Sequence, residues 1–301
     1  MYIYKIKNTL SLREGAKILS EIDKINESKI QIDLSELNYV DTTGSNFILL
    51  LPYYLRDKGH EVSINVNPDS SMTDWINSIG ILDKFADSFD LTQNHKPQSV
   101  IDKQTIAKND FQRRIYHVLN TNPLLRTFFA NNKYDAQILS EIQTFSEKIL
   151  MNRFKLSNRI STCVVELINN VFDHSEKNFG AIAIHFLKSQ NKLPHLHLAV
   201  TDFGIGIKNS LLKSKEFMGL DDENDSFFIE KAIAFNVSST EKANRGFGLS
   251  LVSQFADVLH INSGQGSISV RKIDGLASTK KRNIPNLIGT SITCILKVDE
   301  E

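Results

Sequence analysis

Three polar side chains in one predicted helix have a spacing that could support chemistry. The segment STCVVELINNVFDHS (161–175) is predicted to be helical because its apolar residues recur at helical spacing. Within it, Glu166, Asn170 and Asp173 stand at positions i, i+4 and i+7, which places them on one helix face. One carboxamide between two carboxylates could hold a hydrated Mg²⁺ and orient a water molecule. The same stripe is also typical of the solvated face of an amphipathic helix.

A second group of residues follows a predicted strand. The sequence HLHLAV (195–200) alternates as a strand does, and Asp202 comes at its end. Gly204 and Gly206 follow, and glycine lets the main chain come close to a ligand. The carboxylate of Asp202 can accept a hydrogen bond from an exocyclic amine.

A third group combines glycines with a helix start. Gly246, Gly248 and Leu249 lie in the segment NRGFGL (244–249), which opens into a helix predicted over 248–259. Unpaired N–H groups and the helix dipole favour an anion there, so the segment has the character of a phosphate-binding loop. The polar residues 208–245 before it are predicted to be mobile without nucleotide and protected with it.

Composition restricts the class of protein. The chain has 301 residues, 41% apolar and 23% charged, which suggests two domains of a soluble globular protein. Because the formal net charge is zero, no global attraction to nucleic acid or to a membrane is expected. Two cysteines, no apolar run near 20 residues and no apolar leader at MYIYKIKN favour a cytoplasmic location.

The elements that position these groups fall into two predicted domains. Strand and helix patterns alternate over 1–96, which predicts a small α/β layer architecture. Residues 97–132 are predicted as a linker and helical connector, since the stretch 89–103 is polar and aperiodic and a helical pattern runs over 104–151 with an interruption near 120–123. Residues 133–301 hold the three polar groups, a Lys-rich loop and a last strand over 289–298.

The first domain resembles the STAS domain of bacterial anti-sigma-factor antagonists. The resemblance rests on a strand, the segment DLSELNYVDTTGSNFI (33–48) and a following helix. In that family the turn is Asp-Ser-Ser/Thr-Gly and a partner kinase phosphorylates its second hydroxyl residue. The resemblance implies that Thr43 is the phosphoacceptor, exposed where the strand turns into the helix. Otherwise, Thr42 or Thr43 caps that helix.

The second domain resembles the Bergerat-fold GHKL ATPases, which include gyrase, heat-shock chaperones, histidine kinases, mismatch-repair ATPases and anti-sigma kinases. The resemblance rests on four motifs in this order: Glu166-x-x-x-Asn170-x-x-Asp173, Asp202-x-Gly204-x-Gly206, Gly246-x-Gly248-Leu249 and Gly289-Thr290. It implies an α/β sandwich that binds ATP with Mg²⁺.

The resemblance also implies a role for each motif. Asn170 coordinates Mg²⁺, and Glu166 polarises the attacking water or hydroxyl. Asp202 binds the adenine amine, Thr290 supports adenine through water, and Asp173 lies near the purine. The loop that ends at Gly246–Gly248 closes over the phosphates.

Two other nucleotide-binding classes are excluded. Asp202-Phe203-Gly204 spells the DFG of eukaryotic-type protein kinases, but no HRD segment precedes it and no APE segment follows. No segment fits a Walker A loop.

The sequence therefore predicts a cytoplasmic regulatory protein that binds Mg·ATP. It would hydrolyse ATP or phosphorylate Ser/Thr of a STAS-type partner, or of a second copy in a homodimer. The alternative is an ATP-gated interaction module, in which closure of the lid switches dimerisation or partner docking.

Overall fold

The computed structural model describes residues 1–86, 88–92, 125–130, 154–189, 192–234, 248–273 and 276–298, with Ser140, Ile142 and Thr144. Its strands are β1 Tyr2–Lys5, β2 Asn8–Leu10, β3 Lys29–Asp33, β4 Leu37–Val40, β5 Glu61–Asn65, β6 Asp90–Thr92, β7 Leu125–Ala130, β8 Gly180–Ser189, β9 Lys192–Asp202, β10 Val258–Ile273 and β11 Leu276–Lys297. Its helices of more than one turn are α1 Leu12–Ile22, α2 Thr42–Asp57, α3 Ser71–Ser78, α4 Ile81–Ala86, α5 Phe154–His174, α6 Gly206–Leu211, α7 Asp225–Ile233 and α8 Gly248–Phe255.

Residues 1–92, here called the N-terminal unit, form the predicted α/β layers. The strands β1, β3, β5 and β6 make a parallel sheet in the order β1-β3-β5-β6, and β2 pairs with β4 beside it. The helical pattern after residue 71 is divided into α3 and α4, because Gly80 has a φ of +86°.

Residues 125–298, here called the C-terminal unit, contain an antiparallel sheet in the order β10-β11-β9-β8-β7. The helical prediction is wrong for 125–130, since β7 pairs along its whole length with β8. That sheet therefore begins within the predicted connector, whose residues 97–124 lie outside the described ones. The Lys-rich segment is part of β11 rather than a loop, and α8 ends at Phe255 because β10 begins at Val258.

Both faces of the five-stranded sheet are covered. On β8 and β9, side chains alternate between two cores: Ile182 and Ile184 pack with α5, whereas Ala181, Ala183 and Ala199 pack with the N-terminal unit. Side chains that are this small let α2 approach the sheet closely. The helix α2 accordingly contacts β7, β8 and β9, and α1 contacts β11.

The helix α2 lies between the two sheets, which explains its composition. Its residues from Gly44 to Leu55 are all buried. A helix that is apolar all round is expected in such a position. Among the described residues, no helix is both long and apolar enough to cross a membrane.

Candidate functional site

The polar stripe of the first motif lies on α5 as predicted. The other side of this helix is buried in the core of the C-terminal unit through Cys163, Val164, Leu167, Ile168 and Val171. Glu166, Asn170 and Asp173 are each only partly buried. The helix therefore presents these three side chains along the edge of its packed face.

The second glycine motif lies against that stripe. A Cβ atom built on Gly248, at the start of α8, would lie 2.7 Å from Oε2 of Glu166 and 3.7 Å from Oδ1 of Asn170. Only glycine fits without moving the Glu166 carboxylate. Leu249 packs against the core of the C-terminal unit, and Gly246 lies outside the described residues.

Asn170 carries a polar group without a protein partner. Its Nδ2 atom is buried and finds no hydrogen bond within the described part of the chain. Leaving a buried donor unpaired costs about 1–3 kcal/mol. A ligand that accepts a hydrogen bond from Nδ2 of Asn170 would remove that cost.

Asp202 is a buried carboxyl group at the end of β9. It is 6% exposed, and its Oδ1 accepts from the backbone N–H of Gly204 at 2.8 Å. Burial raises the pKa of Asp202 to about 7, although hydrogen bonds from the N–H groups of Gly204 and Thr290 oppose the rise. A ligand amine that donates to Asp202 would favour the charged carboxylate.

The main chain is packed tightly around Asp202. Gly289 has a φ of +82°, and a Cβ atom built there would lie 2.7 Å from the backbone nitrogen of Gly204. Gly206 has a φ of +77°, which side chains rarely allow. The Oγ of Ser263 accepts from the N–H of Ile207 at 2.9 Å and donates to the carbonyl of Gly289 at 3.0 Å.

Ser263 was not anticipated from the sequence. It lies 3.4 Å, oxygen to oxygen, from the hydroxyl of Thr290 and so joins the glycine turn to the last-strand motif. In the sequence it is one polar residue inside a strand, and only the pairing of β10 with β11 places it here.

The stripe of α5 is joined directly to the glycine turn. The carbonyl of Ser175, just after the helix, accepts from the N–H of Ile205 at 3.0 Å. The structure therefore brings the described members of all four motifs onto one side of the sheet: Glu166, Asn170, Asp173, Asp202, Gly204, Gly206, Gly248, Leu249 and Thr290.

Part of the predicted lid is folded. Residues 208–234 include most of α6, a short 3-10 helix at Lys215–Phe217 and α7, packed around Leu211, Phe217 and Phe228. Phe217 and Phe228 are buried there, so this part of the segment is not wholly polar. Residues 235–247 lie outside the described ones, and the protection of 208–245 by nucleotide stays a prediction.

The expectation that Thr43 is exposed is wrong. Thr43 is partly buried between α2 and the sheet, with its Oγ1 3.4 Å from that of Thr293 on β11. The alternative that Thr42 or Thr43 caps α2 is also wrong, because Asp41 is the N-cap and accepts from the N–H of Gly44 at 2.6 Å.

Thr43 and Glu166 lie on opposite faces of the sheet. Thr293 faces α2, whereas its neighbours Ile292 and Cys294 belong to the core that contains α5. In this arrangement of the chain, a phosphoryl group near Glu166 is separated from Thr43 by the sheet itself.

Two histidines line the face that α2 covers. His185 and His197 are cross-strand partners with ring centroids 6.3 Å apart, and Nδ1 of His185 lies 2.9 Å from the hydroxyl of Thr42. Burial lowers the pKa of each to about 4, so both are neutral at pH 7. The described residues contain no group of three or more His, Cys, Asp or Glu that could hold a metal ion.

Comparison with known proteins gives a family match over the part of the chain that holds these residues. Residues 155–300 match the family described as histidine kinase-, DNA gyrase B-, and HSP90-like ATPase. No curated protein matches the chain. The matched range runs from α5 through β11 and contains all four motifs. Residues 155–300 therefore form an ATPase domain of the GHKL type.

Proposed function

We propose that this chain is a cytoplasmic regulatory protein that binds Mg·ATP between α5, α8 and the ends of β9 and β11. It then hydrolyses the nucleotide or transfers its γ-phosphoryl group to Ser/Thr of a STAS-type partner. The observation that supports this proposal is the position of Gly248, where an added Cβ atom would lie 2.7 Å from Oε2 of Glu166 and 3.7 Å from Oδ1 of Asn170, because it places the glycine motif beside the polar stripe.

Adenine would bind at Asp202. The buried carboxylate would accept a hydrogen bond from the exocyclic amine of adenine. The backbone is packed tightly at Gly204 and Gly289, so a further donor to Asp202 has to come from a ligand. The hydroxyl of Thr290 supports the base through water. Asp173 comes two residues before Ser175, whose carbonyl accepts from the N–H of Ile205, and is assigned to the purine side of the site.

The phosphates would bind at the start of α8, where free N–H groups and the helix dipole favour anions. Asn170 offers a hard amide oxygen atom, which suits Mg²⁺, while the Glu166 carboxylate stays free to accept a proton. Because Mg²⁺ is usually held by one or two protein oxygens together with phosphates and water, this donor set fits it. When bound, Mg²⁺ supplies positive charge that neutralises the phosphates.

Glu166 would act as the general base. Its carboxylate accepts the proton from the attacking water or from the hydroxyl of the phosphoacceptor. Since Thr43 of the same chain lies behind the sheet, the acceptor in this arrangement belongs to another molecule. That molecule is a separate STAS-type protein or the N-terminal unit of a second copy, and Thr43 is then modified only after α2 leaves the sheet.

A second function is favoured by a separate observation. Phe203, between Asp202 and Gly204, is 1% exposed and belongs to the core of the N-terminal unit. A nucleotide loop embedded in another domain suits an ATP-gated interaction module, in which turnover is incidental.

Incubation with γ-labelled ATP and Mg²⁺ tests these functions. Label released as phosphate indicates an ATPase, and label on protein indicates a kinase. Labelling in trans should accelerate with protein concentration, whereas labelling within one chain should not. The Glu166→Gln variant should lose either activity, and Glu223→Gln, at an exposed position, should keep it. Failure of the unmodified chain to bind ATP would refute the proposal.

A further inference from the structure

The residues on either side of Asp202 face the N-terminal unit. Side chains alternate along a strand, so Thr201 and Phe203 point away from the nucleotide side on which Asp202 lies. The ring of Phe203 packs against those of Phe47 and Tyr54 on α2, with centroids 5.2 and 5.5 Å apart. The loop that would hold adenine is thereby anchored in α2.

A buried hydrogen-bonded chain runs from α2 to the other side of Asp202. Nδ2 of Asn46 donates to the carbonyl of Ala199 at 3.1 Å and to the hydroxyl of Thr201 at 3.2 Å. That hydroxyl lies 3.1 Å from Oγ of Ser291, the residue after Thr290. Thr290 in turn donates its N–H to Asp202.

The side-chain amide of Asn46 lowers the stability of the folded chain, because one of its two polar atoms is buried without a hydrogen bond to any described residue. Its Oδ1 atom is buried and has no hydrogen-bond partner among the described residues. The nitrogen must face β9, because the carbonyl of Ala199 can only accept. Packing alone would favour an apolar residue of this size, which would leave no unpaired polar atom.

We propose that Asn46 and Phe203 are positioning residues for Asp202, whose carboxylate would bind adenine. Docking of α2 on the sheet and binding of ATP then strengthen each other. The proposal rests on the proposed ATP site. Asn46 holds the end of β9 through Thr201, and Phe203 holds the following turn. Because coupling between two sites is reciprocal, ATP must favour the docked α2 by the same factor by which docking favours ATP.

The test compares ATP affinity, measured by calorimetry with Mg²⁺, among three full-length variants. Asn46→Leu keeps the branched shape of the side chain but removes both hydrogen bonds, and Phe203→Leu removes the ring contacts. Each should weaken ATP binding about fivefold, the lower end of the usual coupling between two sites. Thr127→Val is the matched control, because it removes a contact of 3.4 Å between α2 and β7, two strands away from β9.

Hydrogen exchange of the unmodified chain supplies a readout that a purely structural role would not change. ATP should slow exchange of the α2 amides, residues 42–57, by about fivefold, and Asn46→Leu should abolish that slowing. If a variant does not fold, this measurement on the unmodified chain decides the matter alone. Tight ATP binding with unchanged α2 exchange would overturn the inference and leave the proposed function intact. No ATP binding at all would overturn both.

Discussion

Replacement of Asp202 by asparagine should abolish nucleotide binding and raise the free energy of unfolding. In the folded chain this carboxyl group keeps its proton up to about pH 7, whereas the ordinary pKa is 3.8. Between those two pH values the folded state binds the extra proton, so its stability falls as the pH rises. The full penalty is present above pH 7. The amide introduced by the substitution would carry no charge and would escape this penalty.

The size of the effect follows from that shift. A shift of three pKa units corresponds to about 4 kcal/mol, and the part that develops between pH 5 and pH 8 is about 2.5 kcal/mol. The stability of Asp202→Asn relative to the unmodified chain should therefore rise by about 2.5 kcal/mol over that interval. Since other groups titrate equally in both proteins, they cancel in the difference.

Urea unfolding at pH 5 and pH 8 without nucleotide measures this difference, and calorimetry with Mg·ATP measures the loss of binding. We expect no detectable ATP binding, because an amide presents its own donors to the adenine amine. Asp222→Asn, at an exposed position, is the control for a general effect of charge. A stability difference that does not change with pH, or an unchanged ATP affinity, would show that Asp202 does not have the role described.

Two further predictions concern other parts of the molecule. Glu166→Ala should lower turnover by ~10²–10⁴ while ATP affinity stays within about twofold, as phosphate release and calorimetry will show; equal turnover would make Glu166 a surface residue only. The lowered pKa of His185 makes the folded state lose stability as the pH falls below 6.5. His185→Gln should therefore lose about 2 kcal/mol less stability than the unmodified chain between pH 6.5 and pH 4.5, as urea unfolding will show. Parallel pH profiles of the two proteins would contradict this.

The sequence predicted the elements on the side of the sheet that carries the four motifs, because their signals are local. The spacing of Glu166, Asn170 and Asp173 needs only one helix, and the motif at Asp202 needs only one strand end and a turn. Helix periodicity and glycine conformations are properties of short segments, so α5 and the glycine turn were foreseen.

The other side of the sheet depends on pairing between distant segments. The strand β7 was predicted as helix, and only its pairing with β8 decides its structure. Phe203 is an ordinary apolar residue in the sequence, and nothing near it indicates that its ring enters the N-terminal unit. The alternation of alanine with isoleucine over 181–184 was a signal, since small side chains on one face permit close packing of a helix.

A negative charge at Thr43, on the α2 side of the sheet, should affect the loop at Asp202 on the other side. A phosphate on Thr43 would add a charge of roughly −1.5 to −2 beside Thr293. Thr42, next to it in the chain, has its hydroxyl 2.9 Å from Nδ1 of the neutral His185. Burying such a charge without a partner is strongly unfavourable, so the modified helix has to leave the sheet. Departure of α2 removes Asn46 from Thr201 and Phe47 from Phe203, which frees the adenine loop.

The phosphorylated chain should therefore bind ATP more weakly, and a kinase acting on a second copy would limit its own activity. We expect Thr43→Glu to weaken ATP binding about fivefold, as Asn46→Leu does, and to speed exchange of the α2 amides. Thr43→Val, which keeps the shape without the charge, should do neither. Faster exchange in Thr43→Glu at unchanged ATP affinity would show that α2 docks on the sheet without influencing the nucleotide site.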